Sequence, residues 1–477
     1  MSTSNNTDFQ SPEVSVKNSL FKELLNAVKG IDADYTKISI KRAILLLAVP
    51  MILELVMEST FAIVDIYYIG TLGASAVATV GLTETYLYLL YSLAIGLSMS
   101  VTAIVARRIG EKNHAEANKA TVQAVILGII ISIPFSIGGI FFAKDLLILM
   151  GADAWSIENG YKYTQWMLGT NAVIVLLFVI NGVFRGAGDA AIAMKILFLA
   201  NGINIILDPI LIFGWGIIPA MGIEGAGIAT AIGRGVGVIG QLIVLFRGNK
   251  QIRLNIKNFI WNSKMMLSIV RTSLGGVGQN IVSMTSWIFL MRILSEIGSE
   301  AVAGSTIALR ILMFTLMPAW GLSNAASTLV GQNLGADSPE RAESSVWKIG
   351  YYNMIFLGIV SLFYFFFNEE LMKIFTADTN VIAIGAEWLQ ILSFSFIVYG
   401  WWMVSVQAFN GAGDTRTPTY INIVFFWLIQ IPLSYTLAVH FNWEHSGIFW
   451  GVFISETTVG LFTLWLFSRG KWKKVKV

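Results

Sequence analysis

Twelve long apolar segments, separated by short polar stretches, dominate the sequence. Each segment reaches the length of about 20 residues that an α-helix needs to cross the hydrocarbon core of a bilayer. No polar stretch between them is long enough to form a soluble domain. The pattern predicts an all-α polytopic membrane protein with transmembrane helices at about 43–70, 77–106, 120–143, 158–182, 189–213, 222–246, 265–291, 300–331, 345–367, 381–408, 416–440 and 446–468.

The chain before the first segment has a different pattern. Residues 1–16 are polar and are expected to be disordered. Residues 17–29 place apolar side chains at helical spacing, namely Leu20, Phe21, Leu24, Leu25 and Val28. This spacing suits an amphipathic helix lying on the membrane surface, and the alternative is a plain tether. In both cases residues 1–42 are predicted to be a tail outside the bilayer.

Composition narrows the function classes. Charged residues make up 13% of the chain, hydrophobic residues 55%, and the mean hydropathy is +0.69. Soluble domains carry about a quarter charged residues, so these values exclude an ordinary soluble protein, a disordered chain and a nucleic-acid binder. The chain has no cysteine, which excludes disulfides, iron–sulfur clusters and thiolate metal sites.

The distribution of positive charge predicts the orientation in the membrane. The two terminal tails and the loops on their side carry 23 Lys and Arg residues, whereas the opposite loops carry only Lys144, Arg292 and Lys373. Because cytosolic loops carry the excess of positive charge, both termini are expected in the cytosol and the protein in the cell's inner membrane. The linker 247–264 and the basic tail 469–477 are then also cytosolic.

The two halves of the sequence are related by an internal repeat. A shift of 225 residues aligns them without a gap: Gly96-Leu97-Ser98 falls on Gly321-Leu322-Ser323, and Gly186-Ala187-Gly188-Asp189 falls on Gly411-Ala412-Gly413-Asp414. The repeat predicts two pseudo-symmetric six-helix bundles, an N-lobe (43–246) and a C-lobe (265–468), with the same orientation. Two such lobes around a midplane cleft favour alternating access over a channel.

These motifs, together with Asn204 and Asp208-Pro209 in the fifth segment, resemble the multidrug and toxic compound extrusion (MATE) transporters over about residues 40–468. The DinF-like branch is the most similar. The related NorM branch also uses carboxylates in the C-lobe, whereas this chain has Gln279 in the seventh segment and only Glu387 in the 381–408 segment. The resemblance implies a cation-coupled exporter of amphipathic, often cationic compounds with the MATE/MOP fold.

The resemblance also implies a coupling-ion site in the N-lobe. Residue by residue, it transfers to Asp65 in the first segment, Asn204 and Asp208 in the fifth, and Thr230 in the sixth. These four are the expected Na⁺ ligands if the protein is sodium-coupled. No cofactor is expected other than Na⁺ or H⁺ as the coupling ion.

Physical chemistry supports the same positions. At 1.5 Å per residue, Asp65, Asp208 and Thr230 are expected in one layer of the outer half of the membrane. Pro209 has no N–H and therefore frees the carbonyl of Ile205. Two aspartates in a layer of low dielectric constant cannot both ionise cheaply, so one is expected to hold a proton or to share a cation. The repeat replaces these carboxylates in the second half, where Leu290 and Leu433 align with Asp65 and Asp208.

Further polar and aromatic residues are candidates for the transport path. Glu54 and Glu58 share a helix face with Asp65 and predict a proton or drug path; the alternative is the wall of a water-filled cavity. Glu84 lies at outer-half depth and is a candidate for the same path or for a partner of the ion ligands. The best candidates for the substrate cleft are Gln279, Tyr399, Trp401 and Trp402. Glu456 and Arg310 are expected to pair in a structural salt bridge across the C-lobe.

The predicted function is a Na⁺- and/or H⁺-coupled antiporter that exports mainly cationic organic compounds, acting as a monomer in the lipid bilayer. The alternative from the same superfamily is a flippase for lipid-linked oligosaccharide, which would be expected to have a strongly cationic cleft. An enzyme is disfavoured because the chain has no HExxH motif, P-loop or paired His/Asp cluster at a membrane edge.

Overall fold

The computed structural model describes residues 20–248, 251–255 and 260–475, and within these ranges it contains helices and no strand. The helices are α1 (Leu20–Lys29), α2 (Ile40–Gly70), α3 (Ala74–Gly110), α4 (His114–Leu149), α5 (Tyr161–Gly169), α6 (Asn171–Ala187), α7 (Ala190–Phe213), α8 (Ile223–Arg247), α9 (Ser263–Ile297), α10 (Ser299–Gly335), α11 (Pro339–Lys373), α12 (Thr379–Ser393), α13 (Phe396–Ala412), α14 (Arg416–Asn422), α15 (Ile431–Tyr435) and α16 (Glu444–Ser468). Short π-helical segments precede α5 and flank α15, and a 3₁₀ turn at Lys471–Lys474 follows α16.

The described helices coincide in position with the twelve predicted segments. In the described part of the chain, nine continuous helical stretches are long and apolar enough to cross a membrane, and α12 with α13 forms a tenth span that bends by 63°. The other two predicted segments coincide with α2 and α9, which have 31 and 35 residues. The prediction of an all-α polytopic membrane protein is confirmed.

The internal repeat is visible in the backbone. Phe142 in α4 and Phe367 in α11, which are 225 positions apart, break their helices with the same φ of −125°. Gly188 and Gly413 end α6 and α13 in the left-handed region, at φ of +90° and +88°. The same backbone conformation at equivalent positions indicates two copies of one structural unit. We refer to α2–α8 as the first repeat and to α9–α16 as the second.

The two repeats exchange parts of two helices. The first half of α2, including Leu47 and Met51, packs in a buried cluster with Val330 and Phe409 of the second repeat. The first turns of α9, in turn, contribute Ile269 to the core of the first repeat. The predicted lobe boundaries at 43–246 and 265–468 therefore follow the chain, while the packing crosses them at one end of the molecule.

Both described chain ends lie at that end, which we call the terminal side. Arg107, at the end of α3, donates a hydrogen bond to the carbonyl of Val475, and Tyr35 donates one to the carbonyl of Gly188 at 3.0 Å. The described hydrogen bonds that join the repeats lie in this half, such as Thr328 Oγ1 to the Arg185 carbonyl at 2.9 Å. The molecule is closed at the terminal side.

Helix α1 occupies the predicted position of the amphipathic helix. Its side chains Leu20, Phe21, Leu24 and Leu25 are exposed, while Ala27 is buried against the protein. Glu23 pairs with Arg42 of α2 at 3.1 Å and fixes the helix to the first repeat. Four stretches lie outside the described ranges, namely residues 1–19, 249–250, 256–259 and 476–477. The prediction that residues 1–16 are disordered concerns residues outside those ranges.

Candidate cation site and central cavity

Three helices of the first repeat bring the predicted ion ligands together. Asn204 and Asp208 are one turn apart on α7 and are 2% and 0% exposed. Asn204 donates a hydrogen bond from Nδ2 to Oγ1 of Thr230 on α8 at 3.1 Å. Gly233 on α8 allows this approach, because a Cβ there would lie only 2.7 Å from the Ala200 carbonyl oxygen of α7.

The fourth predicted ligand, Asp65, reaches the same region from α2. It is half-buried, and its charge and that of Asp208 lie close enough to interact. The equivalent positions in the second repeat are Leu290, which is buried in an apolar cluster, and Leu433. The carboxylate pair is therefore a property of the first repeat.

The oxygens of this group are buried without partners. Within the described residues, both carboxylate oxygens of Asp208, Oδ1 of Asp65 and Oδ1 of Asn204 are inaccessible and accept no hydrogen bond. A buried polar atom without a partner costs about 1–3 kcal/mol, and more when it is charged. A proton on a carboxylate or a cation between these oxygens would remove this cost.

The donor set suits a hard monovalent cation. Carboxylate, amide and hydroxyl oxygens are the ligands that hard cations prefer. Pro209, which follows Asp208 within α7, cannot donate to the carbonyl of Ile205, so one more oxygen lacks its helical partner. Transition-metal sites are typically built from clustered His, Cys, Asp or Glu side chains. Within the described ranges, no group of three or more such residues is arranged so that it could hold a metal ion.

A cavity of about 570 Å³ lies between the two repeats. This volume lies within the range of sites for drug-sized ligands, about 300–1,000 Å³. Most of the lining surface is apolar, with Leu, Met, Phe and Trp side chains interspersed with Ser, Asn and Gln, and the predicted cleft residues Gln279, Tyr399 and Trp402 belong to it. Trp401 does not: it packs edge-on against Trp347 at 4.9 Å between ring centroids, on the other face of α13, so its placement in the cleft was wrong.

Glu54 and Glu58 line the cavity, and each is paired with an arginine. Glu54 accepts a hydrogen bond from Asn181 at 3.1 Å and lies 3.4 Å from Arg185. Glu58 accepts one from Asn201 at 3.0 Å and lies 3.5 Å from Arg234. These two ion pairs are compatible with both predicted roles of Glu54 and Glu58, a proton or drug path and the wall of a water-filled cavity.

Sequence analysis missed the two arginines. Arg234 is 6% exposed and, besides its ion pair with Glu58, donates a hydrogen bond to Tyr91 at 3.1 Å. A charged residue within an apolar segment is itself a signal for a buried partner, and this signal was available.

The remaining predicted positions are less connected. Glu84 is exposed, and the hydrogen bonds of the described residues do not link it to Asp65 or Asp208. The predicted pair of Glu456 and Arg310 is also not formed: Glu456 is buried and lines the cavity, whereas Arg310 is exposed and lies outside that lining. The correction leaves a buried carboxylate in the second repeat that needs a separate explanation.

The family model described as MatE matches this chain twice, over residues 50–210 and 276–436. The chain belongs to the MatE family. The two matches fall one in each repeat, in agreement with the predicted duplication. As a MatE protein, the chain is a multi-pass membrane transporter and not an enzyme. The DinF-like branch stays a prediction.

Named relatives extend over nearly the whole chain. It is 27% identical over 438 residues to the "Probable multidrug resistance protein NorM" of Thermotoga maritima, covering 91% of this chain and 94% of that protein. It is 27% identical over 399 residues to the "FAD transporter" of Shewanella oneidensis, covering 83% and 87%. The names of these two relatives differ, since one refers to multidrug resistance and the other to transport of FAD.

A solved structure shares the fold. It is described as "Reverse polarity of binding pocket suggests different function of a MOP superfamily transporter from Pyrococcus furiosus" and superposes with a TM-score of 0.85 at 24% identity. The match covers 93% of this chain and 98% of that one. The predicted MATE/MOP fold is confirmed.

Proposed function

We propose that this MatE protein exports small, amphipathic organic cations by alternating access, driven by the counterflow of Na⁺, H⁺ or both. The observation that carries the proposal is the set of partnerless oxygens on Asp65, Asn204 and Asp208 in the first repeat. The coupling ion binds there, with Thr230 as a further oxygen donor. Its identity depends on whether a proton or Na⁺ satisfies the two carboxylates.

The central cavity serves as the substrate site. The charged side chains in its described lining are Glu54, Glu58, Glu456 and Arg185. Arg185 pairs with Glu54, and Arg234 pairs with Glu58 from outside the lining, which leaves an excess of one carboxylate. A net acidic, aromatic cavity favours a cationic compound and disfavours the phosphates of a lipid-linked oligosaccharide. The flippase alternative is therefore not favoured by this lining.

The coupling ion and the substrate occupy different layers. Asp65 and Asp208 are absent from the cavity lining, and Glu58 precedes Asp65 by seven residues, which is two turns or about 10 Å along α2. Arg234 of α8 pairs with Glu58 and also lies over the ring of Phe61, which is one turn closer to Asp65 on α2. Ion binding at the aspartates then acts on the cavity through the packing of α2 against α7 and α8.

The proposed orientation places the terminal side in the cytosol of the cell and the protein in its inner membrane, as a monomer. With this orientation the described arrangement is closed to the cytosol. Export requires the alternate state, in which the repeats separate at the terminal side. One charge moving down 100 mV supplies about 2.3 kcal/mol, enough for roughly a fiftyfold gradient of a monovalent compound.

Transport by reconstituted protein tests the proposal. Proteoliposomes would be loaded to give either a Na⁺ gradient or a pH gradient, and uptake of a fluorescent organic cation would be followed for the natural protein, Asp208→Asn and Asp145→Asn. Asp145 is exposed at the far end of α4 and serves as the matched control. We expect gradient-driven transport to fall at least about tenfold in Asp208→Asn and to persist in Asp145→Asn.

The outcomes separate the parts of the proposal. The gradient that drives the natural protein identifies the coupling ion. Full gradient-driven transport by Asp208→Asn would contradict the ion site. No transport of organic cations under either gradient would contradict the substrate class.

A further inference from the structure

The charges in the cavity are compensated unequally on its two walls. On the wall of the first repeat, Glu54 lies 3.4 Å from Arg185 and Glu58 lies 3.5 Å from Arg234. On the wall of the second repeat, Glu456 has neither an ion pair nor a hydrogen bond among the described residues. The uncompensated negative charge of the cavity therefore belongs to Glu456.

Glu456 is held in this position by its helix. The preceding residue, Ser455, donates a hydrogen bond to the Phe425 carbonyl at 2.8 Å and so fixes one face of α16 against the π-helical segment. Glu456 is only 8% exposed, and its remaining accessible surface faces the cavity. A carboxylate that is nine-tenths buried and has no partner needs a cation or a proton to offset its lost hydration.

Aromatic rings surround this part of the cavity. Tyr399 and Trp402 on α13 pack with ring centroids 5.0 Å apart, and Phe426 meets Trp402 edge-on at 5.9 Å. All three line the cavity together with Glu456. Trp402 also has a buried indole N–H without an acceptor. Aromatic faces beside a carboxylate form a site for a flat or quaternary organic cation, which gains both the charge pair and cation–π attraction.

The internal repeat makes the position distinctive. The residue of the first repeat that corresponds to Glu456 is Ala231, and the residues that correspond to Asp65 and Asp208 in the second repeat are leucines. Each repeat thus carries its own acidic group at a different position of the shared fold. Such a separation suits two different cations that bind to two different repeats.

We propose that Glu456 is the counter-charge for the cationic head of the transported compound, with Tyr399, Trp402 and Phe426 forming the surface for its aromatic body. The proposal rests on the function proposed above and adds the place where the substrate binds. In this arrangement the coupling ion binds in the first repeat and the head of the substrate binds in the second. Glu54 and Glu58 keep their arginine partners.

Binding of a charged ligand and of an uncharged ligand of nearly the same size tests this assignment. Ethidium and uncharged dihydroethidium would be equilibrated, without oxygen, against the purified full-length protein in detergent. The variants are Glu456→Gln, Glu456→Asp and the control Glu369→Gln, whose carboxylate is exposed beside Lys373. Thermal unfolding of each variant checks that it is folded.

We expect Glu456→Gln to weaken ethidium binding at least about tenfold and to leave dihydroethidium within twofold. Glu456→Asp should retain part of the preference for the charged ligand, and Glu369→Gln should match the natural protein. Unchanged ethidium binding in folded Glu456→Gln would overturn the proposal, as would an equal loss of both ligands. If the natural protein transports ethidium while Glu456→Gln binds it normally, only this assignment fails and the exporter function stands.

Discussion

At the scale of single residues, the sequence located the carboxylates but not their environment. Aspartates and glutamates are rare in apolar segments, so Asp65, Asp208, Glu54 and Glu58 stand out without a structure. Their partners come from other helices, and the one-dimensional pattern does not encode which helix faces which. Trp401 shows the same limit: successive positions on a helix are rotated by about 100°, and of the two neighbouring tryptophans on α13 only Trp402 lines the cavity.

The pair of Glu58 and Arg234 gives a prediction at this scale. Arg234→Met leaves Glu58 with Asn201 as its remaining described partner, and Glu58→Gln leaves a buried guanidinium that cannot lose its proton. Each single variant should lower the free energy of unfolding by about 1.5–3 kcal/mol. The double variant should lose less than the sum of the two, because it leaves no unpaired charge.

Thermal unfolding midpoints in detergent would measure this double-mutant cycle. Arg292→Met is the control, since Arg292 is 73% exposed beside Glu296 and its removal should cost at most about 1 kcal/mol. Strictly additive losses in the double variant would show that the two charges do not stabilise each other.

At the scale of elements, helix positions were predictable and their internal breaks were not. The apolar segments mark α2–α16 to within a few residues, because spanning length and hydropathy are local properties. The predicted segment at 381–408, however, is two helices that bend by 63° after Ser393. No proline or glycine marks the break, so it follows from packing against α10, α11 and α16 and not from local sequence.

The segment between α1 and α2 gives a prediction at the scale of elements. Tyr35 donates its hydroxyl proton to the Gly188 carbonyl in the first repeat at 3.0 Å. Arg341 of the second repeat donates to the backbone carbonyls of Tyr35 and Ile38. The segment therefore ties the repeats together only while the terminal side is closed, and these bonds must break when that side opens.

Arg341→Ala should shift the population toward the state that is open at the terminal side, by roughly tenfold if the lost bonds amount to about 1.5 kcal/mol. Electron–electron distance measurements between spin labels on the two repeats would detect the shift, and the chain has no native cysteine to interfere with labelling. Arg292→Ala, on the opposite side, should leave the distance distribution unchanged. An unaltered distance distribution in Arg341→Ala would show that the hydrogen bonds of Arg341 to the segment between α1 and α2 do not stabilise the closed state.

At the scale of the whole molecule, the repeat was the most informative feature of the sequence. Its constant spacing predicted two similar bundles and a cleft, and the equivalent breaks at Phe142 and Phe367 reproduce that spacing in the backbone. The repeat did not predict that the first halves of α2 and α9 pack into each other's repeat. That packing joins helices that are far apart in the sequence, and the spacing of apolar residues does not specify which helices meet.

The crossing of α3 and α10 gives the prediction at this scale. A Cβ on Gly110 would overlap the carbonyl of Gln332, and a Cβ on Gly335 would overlap the carbonyl of Arg107. Gln332 and Arg107 are themselves equivalent in the repeat, so the two contacts are a symmetric pair about the axis between the lobes. Each glycine lies within its own helix, so an alanine conflicts with the neighbouring repeat and not with its own helix.

Gly110→Ala and Gly335→Ala should therefore fold normally but resist closure at the terminal side. Distances between spin labels should show the open state enriched in each single variant and more so in the double variant, and transport should slow in the same order. Gly138→Ala is the control, because a Cβ there meets nothing within 4 Å. If the spin-label distances showed the same closed population in the natural protein and the double variant, the added Cβ atoms would not hinder closure. The prediction that the crossing of α3 and α10 controls closure would then be wrong.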